Sequence, residues 1–148
     1  EDGGVPVDEY LAAGEHLYAA GDVARYPYDG STARIEHWKV AAQQGRIAGM
    51  NMAGKNEPYS AIPFFWTVQQ KQPLQYVGHV RDFDDIVFDG DPDGDQFIAF
   101  YIKNNEPKAA LGMGRDKDMV IVQELMHSGQ MPGVAEIKAG VNWQQLLD

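Results

Sequence analysis

Apolar and polar positions alternate most regularly in the second half of the chain. Residues 96–102 place Phe97, Ala99 and Tyr101 opposite Ile98, Phe100 and Ile102, the period of a strand. Shorter runs at 74–79, 85–89 and 107–113 predict three further strands. Asp91-Pro92-Asp93-Gly94-Asp95 predicts a hairpin loop between the second and third of these, and Asn104-Asn105 a turn before the fourth. From 116 to 128 the period changes to that of a helix, with Met119, Val122, Leu125 and Met126 inward and Gly129 as its stop. The tail to Trp143 and Leu147 predicts one or two short helical turns. Residues 65–148 therefore read as a small antiparallel α+β domain.

The first half reads differently. Residues 1–14 look like loop with a short apolar stretch that turns Val5, Val7, Tyr10 and Leu11 inward. His16-Leu17-Tyr18-Ala19-Ala20, stopped by Gly21-Asp22, predicts one fully buried parallel strand. Such a strand needs neighbours on both sides, and none is expected within the next fifty or so residues, as though the chain began inside a sheet. Asp29-Gly30-Ser31-Thr32 is turn chemistry, with Ser31 or Thr32 able to cap a helix over 34–53. That helix carries a row of small residues, Ala41, Gly45, Gly49 and Ala53. Each interior glycine costs about 1 kcal/mol relative to alanine, so close approach of a backbone or flat ligand, or tight core packing, is expected to offset it. A loop at 54–60 marks a boundary, giving domains of 1–62 and 63–148.

Composition narrows the chemistry. A net charge of −10 opposes a nucleic-acid backbone or an anionic membrane surface as partner. No apolar run reaches the roughly 18 residues of a membrane span. The absence of cysteine removes disulfides, thiolate metal sites and cysteine nucleophiles, without deciding the compartment. The start, Glu1-Asp2-Gly3-Gly4, is unlike a signal or transit peptide. The loop from Asp89 to Gly94 begins like a calcium loop, yet Phe100 stands where glutamate is needed, so an acidic hairpin is the better reading. Gly112-Met113-Gly114 has Lys117 in place of the third glycine of a dinucleotide fingerprint and reads as a strand-to-helix turn. Of the histidines, only His37 is a candidate for function.

Tyr18-Ala19-Ala20-Gly21-Asp22-Val23-Ala24 is the most informative string. A strand ending in Gly-Asp puts a carboxylate at a sheet edge where α/β folds bind ligands. Glycine permits close approach, and aspartate accepts hydrogen bonds from hydroxyls. By itself the pair is also a plain strand-end turn. In context, with Gly4-Val5-Pro6-Val7-Asp8-Glu9-Tyr10-Leu11 before it, it resembles the second FAD-binding motif of the two-dinucleotide-domain flavoprotein reductases. Arg34-Ile35-Glu36-His37-Trp38, Phe64-Phe65-Trp66 and the run from Phe83 to Asp91 follow in the same order. The resemblance covers nearly the whole chain. It is nearest to the apoptosis-inducing-factor-like branch, shared with ferredoxin, rubredoxin and putidaredoxin reductases.

The resemblance implies the C-terminal part of a Rossmann-like FAD domain (strand, Gly-Asp turn, helix) followed by a reductase C-terminal interface domain. It implies that Gly21 and Asp22 meet the ribityl chain of FAD, and that Glu36, His37 and Trp38 at the helix N-terminus face the pyrimidine edge of the flavin. That end of a helix suits the charge gathering on a reduced ring. Trp66 would pack near the isoalloxazine, or serve as a core tryptophan. NAD(P)H would donate electrons through domains not represented here, to a ferredoxin- or rubredoxin-type protein or another acceptor. The His-Pro-x-x-Glu motif of disulfide reductases is missing, since Val80 follows His79 and Ser128 follows His127. A cytoplasmic or mitochondrial setting and a homodimer are compatible with the resemblance. The rival expectation is an inactive interface module that binds no FAD by itself.

Overall fold

A computed structural model describes residues 3–147. They form two compact units that divide between Ala61 and Ile62.

In the first unit, β1 (Val5–Pro6) pairs in parallel with β4 (Ala24–Tyr28), which pairs antiparallel with β5 (Ser31–Ala33). Tyr28 faces Ser31 across the hairpin, leaving Asp29 and Gly30 as a two-residue loop, both at positive φ (46° and 72°). The expected turn is therefore present, but Ser31 and Thr32 continue as strand rather than capping a helix. The strand expected at 16–20 shrinks to β3 (Leu17–Tyr18), paired antiparallel with β2 (Ala12–Gly14). Leu17 is 59% exposed, so the short apolar run was no sign of double-sided burial.

Helix α1 runs Trp38–Met52, four residues later than the pattern predicts at its start. The segment before it stays extended, and His37 caps the helix by accepting from the Lys39 N–H at 3.3 Å. Val40, Gln44, Ala48 and Asn51 form its buried face. The row at 41, 45, 49 and 53 is not the inward one. Gly45 and Gly49 are exposed, and a Cβ on either would meet nothing within 4 Å. Two inward polar residues, Gln44 and Asn51, disguise the true face.

Asn51 is a tie rather than a filler. Its Nδ2 donates to the carbonyls of Tyr10 and Glu57 at 2.8 Å each, and its Oδ1 accepts from the Glu57 N–H at 2.6 Å. Beside it, Leu11, Tyr26, Ala33, Ala48 and Tyr59 make the core. Tyr26 and Tyr59 meet edge to face, 5.2 Å between ring centres. Both hydroxyls are buried without a hydrogen-bond partner among the described residues.

That pair makes a testable statement. Burial pushes the Tyr59 phenol up to about 12, and burial with the neighbouring Tyr59 and Tyr28 pushes Tyr26 higher still. The fold thus favours the neutral phenols. Their contribution is complete below pH ~10 and is lost as pH rises from there through the folded values. Alkaline titration by tyrosinate absorbance is expected to show these two ionising only as the unit opens. Tyr59→Phe should remove an unpartnered hydroxyl, raise urea stability by up to about 1 kcal/mol, and delay alkaline unfolding. Destabilisation by Tyr59→Phe would mean the hydroxyl is engaged.

The second unit is a five-stranded antiparallel sheet in the order β6-β7-β10-β9-β8. The strands are β6 (Phe64–Gln69), β7 (Gln72–Gly78), β8 (Asp85–Gly90), β9 (Phe97–Lys103) and β10 (Glu106–Met113). Helices α2 (Asp116–Ser128) and α3 (Val134–Ala139) and a final 3₁₀ turn (Trp143–Leu147) follow. The four expected strands and the helix at 116–128 are present, with strand ends shifted by one or two residues. β6 is additional. Its residues include Phe64-Phe65-Trp66, which reads as a string of aromatics but forms an edge strand paired with β7 alone. Asn104 and Asn105 turn at φ 52° and 62° between paired Lys103 and Glu106.

One sheet face packs Val77, Val87, Ile98, Phe100, Ile102 and Ala110 against Met119, Val122, Leu125, Ile137 and Trp143. Phe100 stacks on Trp143 at 5.3 Å. The indole Nε1 donates to Asp89 Oδ2 at 2.7 Å, and Arg115 reaches that same oxygen at 3.1 Å while its Nε holds Asp118. These charged groups fasten the C-terminal turn to the sheet. A different ladder of rings links Phe65 to Tyr76, Tyr76 to Tyr101 and Tyr101 to Phe83, with centres 5.0, 5.8 and 5.1 Å apart.

Candidate functional site

The first unit shapes one turn with unusual care. Ala20 is extended, and Gly21 then takes φ +80°, a left-handed conformation that side chains resist. A Cβ on Gly21 would lie 3.2 Å from that of Ala41, so the turn sits tight on α1. Gly21 opens a single 3₁₀ turn, Gly21–Val23, closed by the Ala24 N–H bonding back to the Gly21 carbonyl. Asp22 is exposed at its middle.

Two side chains grip this turn. Gln44, wholly buried on α1, accepts the Gly21 N–H at Oε1 (2.8 Å). Arg34 donates through Nη1 to the Asp22 carbonyl at 2.9 Å. The other arm of the same guanidinium meets Glu36 Oε1 at 2.8 Å. Arg34 thereby ties together Asp22 and Glu36, two residues singled out from the sequence.

Glu36 is exposed and stands just ahead of α1. His37 is the helix cap, and its ring lies 5.8 Å from that of Trp38, which is 66% exposed. Lys39, in the first turn, has its pKa lowered by burial. The opening of α1 thus combines the positive end of the helix dipole, a cation and an exposed indole, an arrangement suited to an anionic or electron-rich planar group. Gly21, Asp22, Glu36, His37 and Trp38 all belong to this unit.

Trp66 belongs to the second unit, on the edge strand β6. At 40% exposure, with Phe64 6.4 Å away, it is not the core tryptophan; Trp143, at 2%, fills that place. Gln44 and Arg34 were absent from the sequence-derived candidates. A glutamine four residues from Val40 and four from Ala48, on the helical repeat of a buried face, is the signal for the first. For Arg34 only its nearness to Glu36 is suggestive. No helix among the described residues is long and apolar enough to cross a membrane.

Comparison with known proteins gives the chain a family. Residues 64–141 match the family described as "Reductase C-terminal". Human apoptosis-inducing factor 3 (Homo sapiens) is 33% identical over 132 residues, 86% of this chain and 22% of that protein. The 5,5'-dehydrodivanillate O-demethylase ferredoxin reductase subunit of Sphingobium sp. is 35% identical over 85% of this chain and 32% of its own length. The chain therefore spans roughly a fifth to a third of these relatives. Among solved structures, a ferredoxin reductase from Rhodopseudomonas palustris superposes with a TM-score of 0.79 at 28% identity, over 88% of this chain and 33% of that one. The covalent putidaredoxin reductase–putidaredoxin complex shares the fold, with a TM-score of 0.85 at 23% identity over 97% of this chain and 36% of that one. The α+β architecture and these likenesses agree: this chain belongs to the reductase C-terminal family, the C-terminal part of pyridine nucleotide oxidoreductases.

Proposed function

We propose that this chain supplies one side of an FAD site in an oxidoreductase that passes electrons from NAD(P)H, through FAD, to a ferredoxin- or rubredoxin-type protein. In this reading residues 1–62 complete the FAD-binding domain and 63–148 form the interface domain of the reductase. The observation that carries it is the Gly21–Asp22 turn. Its exposed carboxylate is an acceptor for the ribityl hydroxyls, and the left-handed glycine lets the turn sit tight on α1 while Asp22 stays exposed.

The opening of α1 supports the second half of the reading. Glu36, His37 and Trp38 would lie along the pyrimidine edge, where the helix N-terminus stabilises charge on the reduced ring. Trp66, with an exposed ring on an edge strand, would pack near the isoalloxazine. The flavin itself, when bound, takes up hydride and releases electrons; the protein contributes position and field. That the relatives include ferredoxin reductase subunits favours a ferredoxin-type acceptor.

The test is a visible absorption spectrum of the full-length polypeptide, followed by titration of its flavin-free form with FAD. Flavin is expected to copurify, and Asp22→Ala to weaken FAD binding by roughly tenfold to a hundredfold, the worth of a charged hydrogen bond. Full-length protein without flavin, or Asp22→Ala with unaltered affinity, would overturn the reading in favour of an interface module.

A further inference from the structure

We infer that Gln44 is a positioning residue of the flavin site, acting with Arg34 to hold Asp22 in place; the inference rests on the FAD reading above. Gln44 is completely buried, in a helix face otherwise built from Val40, Ala48 and Asn51. A leucine or methionine there would pack without any polar group to satisfy. The glutamine is accounted for by what it holds. Its Oε1 is the acceptor for the Gly21 N–H, a group that the left-handed turn removes from any strand ladder.

The grip has two ends. Gln44 fixes the peptide entering Gly21, and Arg34 fixes the carbonyl leaving Asp22 at 2.9 Å. Between these anchors lie only the two residues of the turn, so the backbone that carries the Asp22 side chain is fixed from both sides. Gly21 is also pressed against Ala41, one helical turn before Gln44 on a neighbouring row. Gln44 Nε2 has no hydrogen-bond partner among the described residues, and the planar amide keeps that donor beside the same turn. Arg34 adds a link along the surface, because its second arm pairs with Glu36. Asp22 and Glu36 are thereby held by one guanidinium, which couples the ribityl side of the site to its pyrimidine side.

A residue acting through Asp22 differs measurably from one that only stabilises the fold. The experiment is a double-mutant cycle on FAD affinity in the full-length polypeptide, using Asp22→Ala, Gln44→Met and the pair. Gln44→Met is expected to weaken FAD roughly tenfold, and Gln44→Glu, which keeps the accepting oxygen, to recover most of that. In the Asp22→Ala background, Gln44→Met should add no more than about twofold, because its effect passes through the missing carboxylate. The visible circular dichroism of bound flavin should change in Gln44→Met and return in Gln44→Glu. Arg34→Met reads the other anchor of the turn. Should Gln44→Met fail to fold, the part of the Arg34→Met loss that disappears in the Asp22→Ala background tests the same grip, the remainder belonging to the link with Glu36.

Losses that multiply in full, or unchanged affinity in Gln44→Met and Arg34→Met, overturn the inference while leaving Asp22 as a ligand. Wild-type protein without flavin, or an Asp22→Ala variant that binds normally, overturns the FAD reading itself and the inference with it.

Discussion

Replacing Phe100 by alanine is expected to destabilise the second unit by about 3–5 kcal/mol, the range for emptying an aromatic site in a packed core. Phe100 lies in β9, fully buried, opposite Val87 on one side and Ala110 on the other. Its ring stacks on Trp143, so its removal takes away both the sheet's central contact and the seat of the C-terminal turn. Domains have about 5–15 kcal/mol in all, so a loss of this size consumes much of the margin. The matched control is Phe88→Ala, from a ring 44% exposed, expected to cost below about 1 kcal/mol. Urea unfolding monitored by tryptophan fluorescence reads both. Equal effects of the two substitutions would mean that the packed face has been misassigned.

Asn51→Leu is expected to cost the first unit about 2–4 kcal/mol despite nearly equal volume. It leaves the Tyr10 and Glu57 carbonyls and the Glu57 N–H without the partners they now share. The consequence spreads along the chain, because Tyr59, two residues beyond Glu57, bonds through its N–H to the Glu9 carbonyl at 2.8 Å. Asn51→Asp keeps the acceptor for Glu57 N–H while losing both donors, and should fall between wild type and leucine. Hydrogen exchange at the Glu57 and Tyr59 amides gives the local readout, with protection lost first in Asn51→Leu. Unchanged protection there would exclude the tie.

The contrast between these residues explains what could be read in advance. In the second unit, strand alternation, Gly and Asn turns and an amphipathic helix each point to one local structure. The helix at 116–128 and the turn at 104–105 therefore emerged where the pattern placed them. β6 was missed because an edge strand buries little and its alternation is weak: Trp66 and Val68 are exposed. The first unit is governed instead by polar groups in its interior. Asn51 and Gln44 face inward on α1, so its buried face does not stand out as an apolar stripe, and the non-helical 34–37 segment reads as part of the helix. Val5–Pro6 depends on pairing with the distant Ala24–Arg25, and strands as short as this one and Ser31–Ala33 carry no period of their own. Of the candidate site, Asp22 and the start of α1 were visible as motifs. The glutamine and arginine that hold them were not, because their roles exist only after folding.

The strand order β6-β7-β10-β9-β8 has a consequence for how the sheet forms. β6 and β7 make one local hairpin, and β8, β9 and β10 make a meander of their own. Each can wind up from neighbouring residues with a small entropy of loop closure. The ladder between β7 and β10 is then a seam joining two preassembled pieces, with Gly78 opposite Ala109 so tightly that a Cβ on Gly78 would lie 2.5 Å from the Lys108 carbonyl oxygen. Of the ladders in this sheet it joins the residues farthest apart in sequence, so its closure carries the largest loop entropy. When it parts, two strand edges are bared at once, each complementary to the edge just lost, so pairing between copies through exchanged hairpins is the natural route to association under mild denaturing conditions.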